Sequence, residues 1–172
     1  RDIILLVTPS SQGASAAERS KKEIPNGPYP TIVTASKGLE RETFRTMSQV
    51  IADQLPKATV AVLSGPNIAK EISQGRHAKA LIGCDNVTHL IRLANALNSD
   101  RLHLEMTRET VDLELCAAMK GVFAIGSGVI AGRELGANFM GLLLTYVIRE
   151  IDTIARFLGI SNPHGPCLAS LG

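Results

Sequence analysis

The chain has 172 residues, enough for one domain or two small ones that bury roughly two-thirds of the unfolded chain's surface. Lys and Arg number 18 against 16 Asp and Glu, a net charge of +2 spread along the chain, and aromatic residues make up 3% with no Trp. This excludes a basic nucleic-acid footprint and a base-stacking platform, and it requires an aliphatic core.

The chain opens on Arg1-Asp2 directly before Ile3-Ile4-Leu5-Leu6-Val7, with no leading element, and reads as an internal piece. That aliphatic run, stopped by Thr8-Pro9-Ser10, predicts a strand buried on both faces of a parallel sheet. Residues 14–22 suit a short helix, and the Pro25-Asn26-Gly27-Pro28 and Pro30 cluster predicts a loop. Further strands are predicted at 31–35 (TIVTA), 59–63 (TVAVL) and 79–83 (KALIG). Between them, residues 40–54 place Phe44, Met47, Val50 and Ile51 at helical spacing, and residues 87–97 do so with Leu90, Leu93, Ala94 and Leu97. Residues 67–74 predict a shorter helix opening at Asn67, a residue suited to capping or to ligand contact. Residues 101–105 predict one more strand.

From about Thr107 the pattern becomes all-helical, with long helices over about 110–130 and 137–158. On the second, Tyr146, Ile148, Ile151, Ile154, Ala155 and Leu158 predict the packed face, and residues 162–166 (NPHGP) predict a loop. The stretch 113–130 is the most apolar of the chain, yet Glu114 and Lys120 interrupt it and Arg133 follows, so stable membrane insertion is not expected. Cys84, Cys116 and Cys167 lie far apart without metal-ligand spacing, which predicts free thiols in a reducing compartment. The four histidines show no zinc-type pattern, and no Ser sits in a G-x-S-x-G elbow.

Strands alternating with helices predict a parallel sheet whose ligands bind beyond the carboxyl ends of the strands. That rule singles out residues 8–10, 36–38 and 64–67. Lys37-Gly38 puts a cation at this edge, suited to phosphate or carbonyl oxygen, although an ordinary surface lysine in a turn has the same local sequence. Ser64-Gly65-Pro66-Asn67 is either a tight turn or one that offers free N–H groups to an anion. Lys120, as a helical residue, has Cys116, Ala117, Phe123 and Ala124 at three and four positions either way, so its own helix supplies no carboxylate. It either snorkels to the surface, pairs with a group from another segment or a substrate, or loses its proton through desolvation.

Taken in order, DIILLVTPS with Gln12, TASKGLE followed by MSQVI, VLSGPNIAKEI and VDLELCAAMKGV resemble the NAD(P)-dependent glycerol-3-phosphate dehydrogenase family. The resemblance implies α/β followed by all-α. Residues 1–106 would form the C-terminal half of a Rossmann-like parallel-sheet domain, and residues 107–172 the beginning of a helical substrate domain. It implies an oxidoreductase that moves hydride between NAD or NADP and a small phosphorylated triose or glycerol substrate. By the same resemblance Lys120 aligns with the catalytic lysine, Lys37 with a lysine that touches cofactor and substrate, Gly65 and Asn67 with substrate contacts, and Ala69 with a cofactor contact. The Thr8-Pro9-Ser10 edge should lie by the dinucleotide, with Pro9 and Ser10 as its cofactor contacts. A cytoplasmic homodimer in glycerophospholipid metabolism is implied too, with no nucleic-acid partner.

The chain departs from the family at several points. No G-x-G-x-x-G precedes Ile3, so the turn that cradles the pyrophosphate is missing from this sequence. Gly121 follows Lys120 where the family reads Asn, and Ala131-Gly132 and Gly136-Ala137-Asn138 replace Asp-Gly and Gly-Asp-Asn. The family's phosphate-binding Arg-Asn pair lies beyond Gly172. Gly121, Ala131 and Ala137 motivate one alternative, a catalytically impaired homologue that serves as a binding or oligomerisation module; a related hydroxyacid reductase is another.

Overall fold

The computed structural model describes residues 3–24 and 29–159, so the predicted loops at 25–28 and 162–166 and Cys167 lie outside the described residues. In chain order, β1 (Ile3–Leu6), α1 (Gly13–Glu23), β2 (Thr31–Thr34), α2 (Met47–Gln54), β3 (Thr59–Ser64) and α3 (Ala69–Ser73) make the first half. They are followed by β4 (Ala78–Gly83), α4 (Val87–Leu97), β5 (Leu102–Thr107), α5 (Thr110–Gly132) and α6 (Gly136–Phe157). The five strands form one sheet in the order β1-β2-β3-β4-β5.

β1, β2 and β3 run parallel, as the strand-helix alternation predicts. β4 does not: it runs antiparallel to β3, with Val62 opposite Gly83 and Ser64 opposite Leu81, and β5 then runs parallel to β4. Length explains the reversal. A parallel return must travel back along the six residues of β3, about 20 Å. The five residues of α3 rise only about 7.5 Å, and α3 buries none of them. The chain therefore turns back on the same edge, whereas the eleven-residue α4 does carry a true crossover from β4 to β5.

The pleat sorts the core into two faces. Ile32, with Leu6, Ala17, Ile51 and Leu55, packs the sheet beneath α1 and α2. Val33, with Ala61, Ala80 and Ile82, packs the opposite face beneath Leu90, Leu93 and Ala94 of α4. Asn86 begins α4, its side chain accepting the Thr88 and His89 N–H groups at 3.1 and 3.2 Å. α5 joins the α1–α2 face, where Leu113 packs on Val62 and Leu81. α5 and α6 then pair through Cys116, Val147 and Ile151, with Met119, Phe123 and Leu143 alongside.

Several expectations need correction. β1 is an edge strand with Leu5 53% exposed, so it is not buried on both faces. The helix expected over 40–54 begins only at Met47, because residues 39–46 fold back through a Leu39–Thr46 bridge. Phe44 sits in that turn at φ +55 and is exposed, outside the core it was expected to join. Asn67 does not cap α3, whose N-cap position is Ile68. On α6 the buried face is Val147, Ile151 and Ala155, while Tyr146, Ile148 and Leu158 are exposed. Cys84 is a free, buried thiol, but Cys116 is disulfide-bonded, a departure from the expected free thiols. By length and composition α5 could cross a membrane, yet its first turns bury Asp112 and Glu114 inside the protein.

Candidate active site

The loops after β1 and β2 are knitted together at the carboxyl edge of the parallel strands. The Ser36 hydroxyl donates to the Thr8 carbonyl at 2.6 Å, the Ala35 N–H donates to Leu6 O at 3.2 Å, and the Ser36 N–H donates to the Thr34 hydroxyl at 3.2 Å. Gly38 adopts φ +116, and a Cβ there would lie 3.1 Å from the Ser10 hydroxyl. Glycine is thus what lets these two loops close up. The predicted Pro9-Ser10 and Lys37-Gly38 positions end side by side.

Gly65, Asn67 and Ala69 lie on the same edge, in the segment that follows β3. The structure supplies a reason for Gly65 that needs no ligand: at φ +144, its added Cβ would stand 2.8 Å from the Ala80 Cα. The reversed β4 passes that close. Gly65 therefore serves the turn first, whatever else its backbone contacts. Asn67 is partly buried, its N–H donating to Gly65 O at 3.0 Å, and Ala69 is exposed at the start of α3. No hydrogen bond among the described residues ties either side chain to Lys37.

Lys120 reaches this edge by way of the strand reversal. β4 and β5 end at the opposite side of the sheet, so α5 starts there and runs back beneath β3 and β4, its residues 112–117 buried. Ten residues on, about 15 Å along the axis, it delivers Lys120 to the edge where Lys37 stands. Partial burial lowers the pKa of the Lys120 amine, and the nearby charge of Lys37 lowers it further. Two lysines on separate elements thus converge, which suits a substrate bearing a phosphate or a carbonyl oxygen. At Gly121 an added Cβ would meet nothing within 4 Å, so the family's Asn is absent from open space beside the lysine.

Two side chains in or near the site had no role assigned from the sequence, although Thr8 lies on the 8–10 edge singled out there. The Thr8 hydroxyl oxygen is buried and, among the described residues, has no hydrogen-bond partner. No periodicity signals such an atom. Glu114, 3% exposed, accepts the Ser48 N–H at 2.9 Å and also the Ser48 hydroxyl, binding α5 to the first turn of α2. Burial raises its pKa against these hydrogen bonds, which lower it. The argument that drew attention to Lys120, a charge in an apolar stretch, applied equally to Glu114.

The edge fits the flank of a nicotinamide dinucleotide, with an unsatisfied hydroxyl at Thr8, close backbone approach at Gly38 and a cation at Lys37. The pyrophosphate-cradling turn is not part of this sequence. Among the described residues no group of three or more His, Cys, Asp or Glu side chains could hold a metal ion.

Residues 1–90 match the family model for the NAD-dependent glycerol-3-phosphate dehydrogenase N-terminus, and residues 109–172 match that for its C-terminus. The chain is 32% identical over 158 residues to a glycerol-3-phosphate dehydrogenase [NAD(P)+] of Gluconobacter oxydans, covering 92% of this chain and 48% of that protein. It is 30% identical over 171 residues to one of Mycobacterium avium, covering 99% and 50%. Among solved structures, the glycerol-3-phosphate dehydrogenase of Coxiella burnetii superposes with a TM-score of 0.89 at 26% identity, over 98% of this chain and 52% of that one. A ketopantoate reductase from Ralstonia eutropha shares the fold more loosely, with a TM-score of 0.60 at 16% identity over 98% and 56% of the two chains. The chain spans about half the length of the curated relatives it matches. Matched by both family models and by relatives along nearly its whole length, the chain belongs to the NAD-dependent glycerol-3-phosphate dehydrogenase family.

Proposed function

We propose that the protein containing this chain interconverts dihydroxyacetone phosphate and glycerol 3-phosphate. The observation that carries this reading is the match of residues 1–90 and 109–172 to the two family models, with Lys120 partly buried and within reach of the Lys37 charge. Bound NADH or NADPH supplies the hydride for the substrate's carbonyl carbon. Lys120, as its ammonium, donates a proton to the carbonyl oxygen, and in the reverse direction its neutral amine takes that proton back. Partial burial and the Lys37 charge both ease the loss of that proton. Lys37 holds positive charge where the oxygen becomes more negative, and it attracts the anionic substrate. Gly65 and Asn67 border the substrate, and Pro9, Ser10 and Ala69 the cofactor. The carboxylate of Glu114 faces α2, away from this chemistry.

A cytoplasmic location, a homodimeric assembly and a role in glycerophospholipid metabolism accompany this reading, and they rest on the resemblance alone. A second reading, a homologue that retains the fold with little turnover, is favoured by the open space at Gly121 beside Lys120. The deciding experiment follows NADH and NADPH oxidation with dihydroxyacetone phosphate in the full-length protein, before and after Lys120→Met. A loss of about a hundredfold or more is expected. An unchanged rate would remove Lys120 from the reaction, and an inactive parent with both cofactors would favour the second reading.

A further inference from the structure

Glu114 is an expensive residue to keep where it is. The residue is 3% exposed, and an apolar side chain would fill the space without the cost of removing a carboxylate from water. What the carboxyl obtains is a link between two parts of the chain. Ser48 is the second residue of α2, so its N–H is among those left without a partner in the first turn. The Glu114 carboxylate accepts that N–H at 2.9 Å and accepts the Ser48 hydroxyl with its other oxygen. The positive end of the α2 dipole favours a carboxylate there. Thr46 and Gln49 already close the helix start, the Gln49 side chain accepting the Thr46 N–H at 3.1 Å. Capping α2 therefore does not require Glu114. Its two bonds hold α5 at one height and one rotation against α2.

Lys120 stands six residues further along the same helix, about 9 Å in rise, at the edge shared with Lys37. Around that end of α5 the packing is looser, with Gly121, Val122, Ala124 and Ile125 all exposed. The buried anchor lies before the lysine. We propose that Glu114 is a positioning residue whose double hydrogen bond to Ser48 sets the rotation and height of α5 and so places Lys120 beside Lys37. The inference rests on the reading of Lys120 as acid/base given above.

The test uses the full-length protein and two readouts. The first is kcat and KM for dihydroxyacetone phosphate. The second, on separate samples, is the NMR titration of Lys120 carrying 13C-methyl groups. Glu114→Ala should lower kcat by about tenfold or more, with KM changed less, and return the Lys120 titration toward that of an ordinary lysine. Glu114→Gln keeps an acceptor for the Ser48 N–H and should retain more kcat than Glu114→Ala. Ser48→Ala, which removes only the hydroxyl half of the link, should produce the smallest change in the same direction. If Glu114→Ala fails to fold, as judged by thermal unfolding, the Gln and Ser48 variants decide. Folded variants with kcat and the Lys120 titration unchanged would overturn the proposal. Undiminished kcat in Lys120→Met would instead refute the acid/base reading, and the titration would still report whether Glu114 sets the lysine's surroundings.

Discussion

Lys37, on the loop after β2, stands close enough to Lys120 of α5 that its charge adds to burial in lowering the Lys120 pKa. Burial is the larger cause, so removing Lys37 should undo only part of the shift. In Lys37→Met the Lys120 amine should titrate at higher pH than in the parent and still below an ordinary lysine. The 13C-methyl titration of Lys120 measures this. A titration that does not move would mean that the two side chains are too far apart to interact.

Gly65→Ala should destabilise the protein strongly. The residue sits at φ +144, and its Cβ would lie 2.8 Å from the Ala80 backbone, where no flexible side chain can yield. Strain and overpacking together cost about 2–4 kcal/mol. Urea unfolding at constant m-value reads the loss. A change below about 0.5 kcal/mol would place β4 further from the turn than it lies here.

Glu114 should make stability depend on pH in a particular direction. Burial raises its folded-state pKa, outweighing the Ser48 hydrogen bonds. A carboxyl raised in this way binds its proton more tightly in the folded state than in the unfolded chain. Its contribution is fully present below the unfolded pKa and fades as pH rises through the folded one. Glu114→Gln cannot titrate. The stability of the parent relative to this variant should therefore fall as pH rises from about 4 toward neutrality. Denaturant unfolding of both proteins across that window gives the difference, and a flat difference would contradict the shift.

Gly121→Asn restores the family's residue beside Lys120. An added Cβ meets nothing within 4 Å, and Asn is a better helix former than Gly, so the variant should be more stable by about 0.3 kcal/mol. Thermal unfolding tests this. Destabilisation of more than about 1 kcal/mol would mean that the space is occupied. In the full-length protein the same variant should retain or raise dihydroxyacetone phosphate reduction, since it adds a polar group next to Lys120 without displacing it.

Local sequence carried most of the elements. Short runs rich in small or β-branched residues became β2 to β4, and the 3.6-residue period became α4. Reading by period fails where the chain folds back on itself. Phe44 keeps the helical spacing of its neighbours, yet it lies in a turn because residues 39–46 pair with one another before α2 begins. Val147, not Tyr146 or Ile148, faces α5, since which stripe of an apolar helix is covered depends on the partner's position. Edge exposure at Leu5 likewise depends on strand order, which a continuous aliphatic run does not encode.

The sequence by itself determined the two halves of the chain, the turn residues at the carboxyl edge of β1 to β3, and the lysines that carry the family resemblance. It could not determine that the charge of Lys37 reaches Lys120. That depends on the direction of β4, and a strand's apolar pattern reads the same whichever way its neighbour runs. Only the three-dimensional arrangement, with α3 too short to cross the sheet and Gly65 permitting the close return, reverses β4 and starts α5 at the far side. From there the length of α5, anchored at Glu114, brings Lys120 within reach of the Lys37 charge.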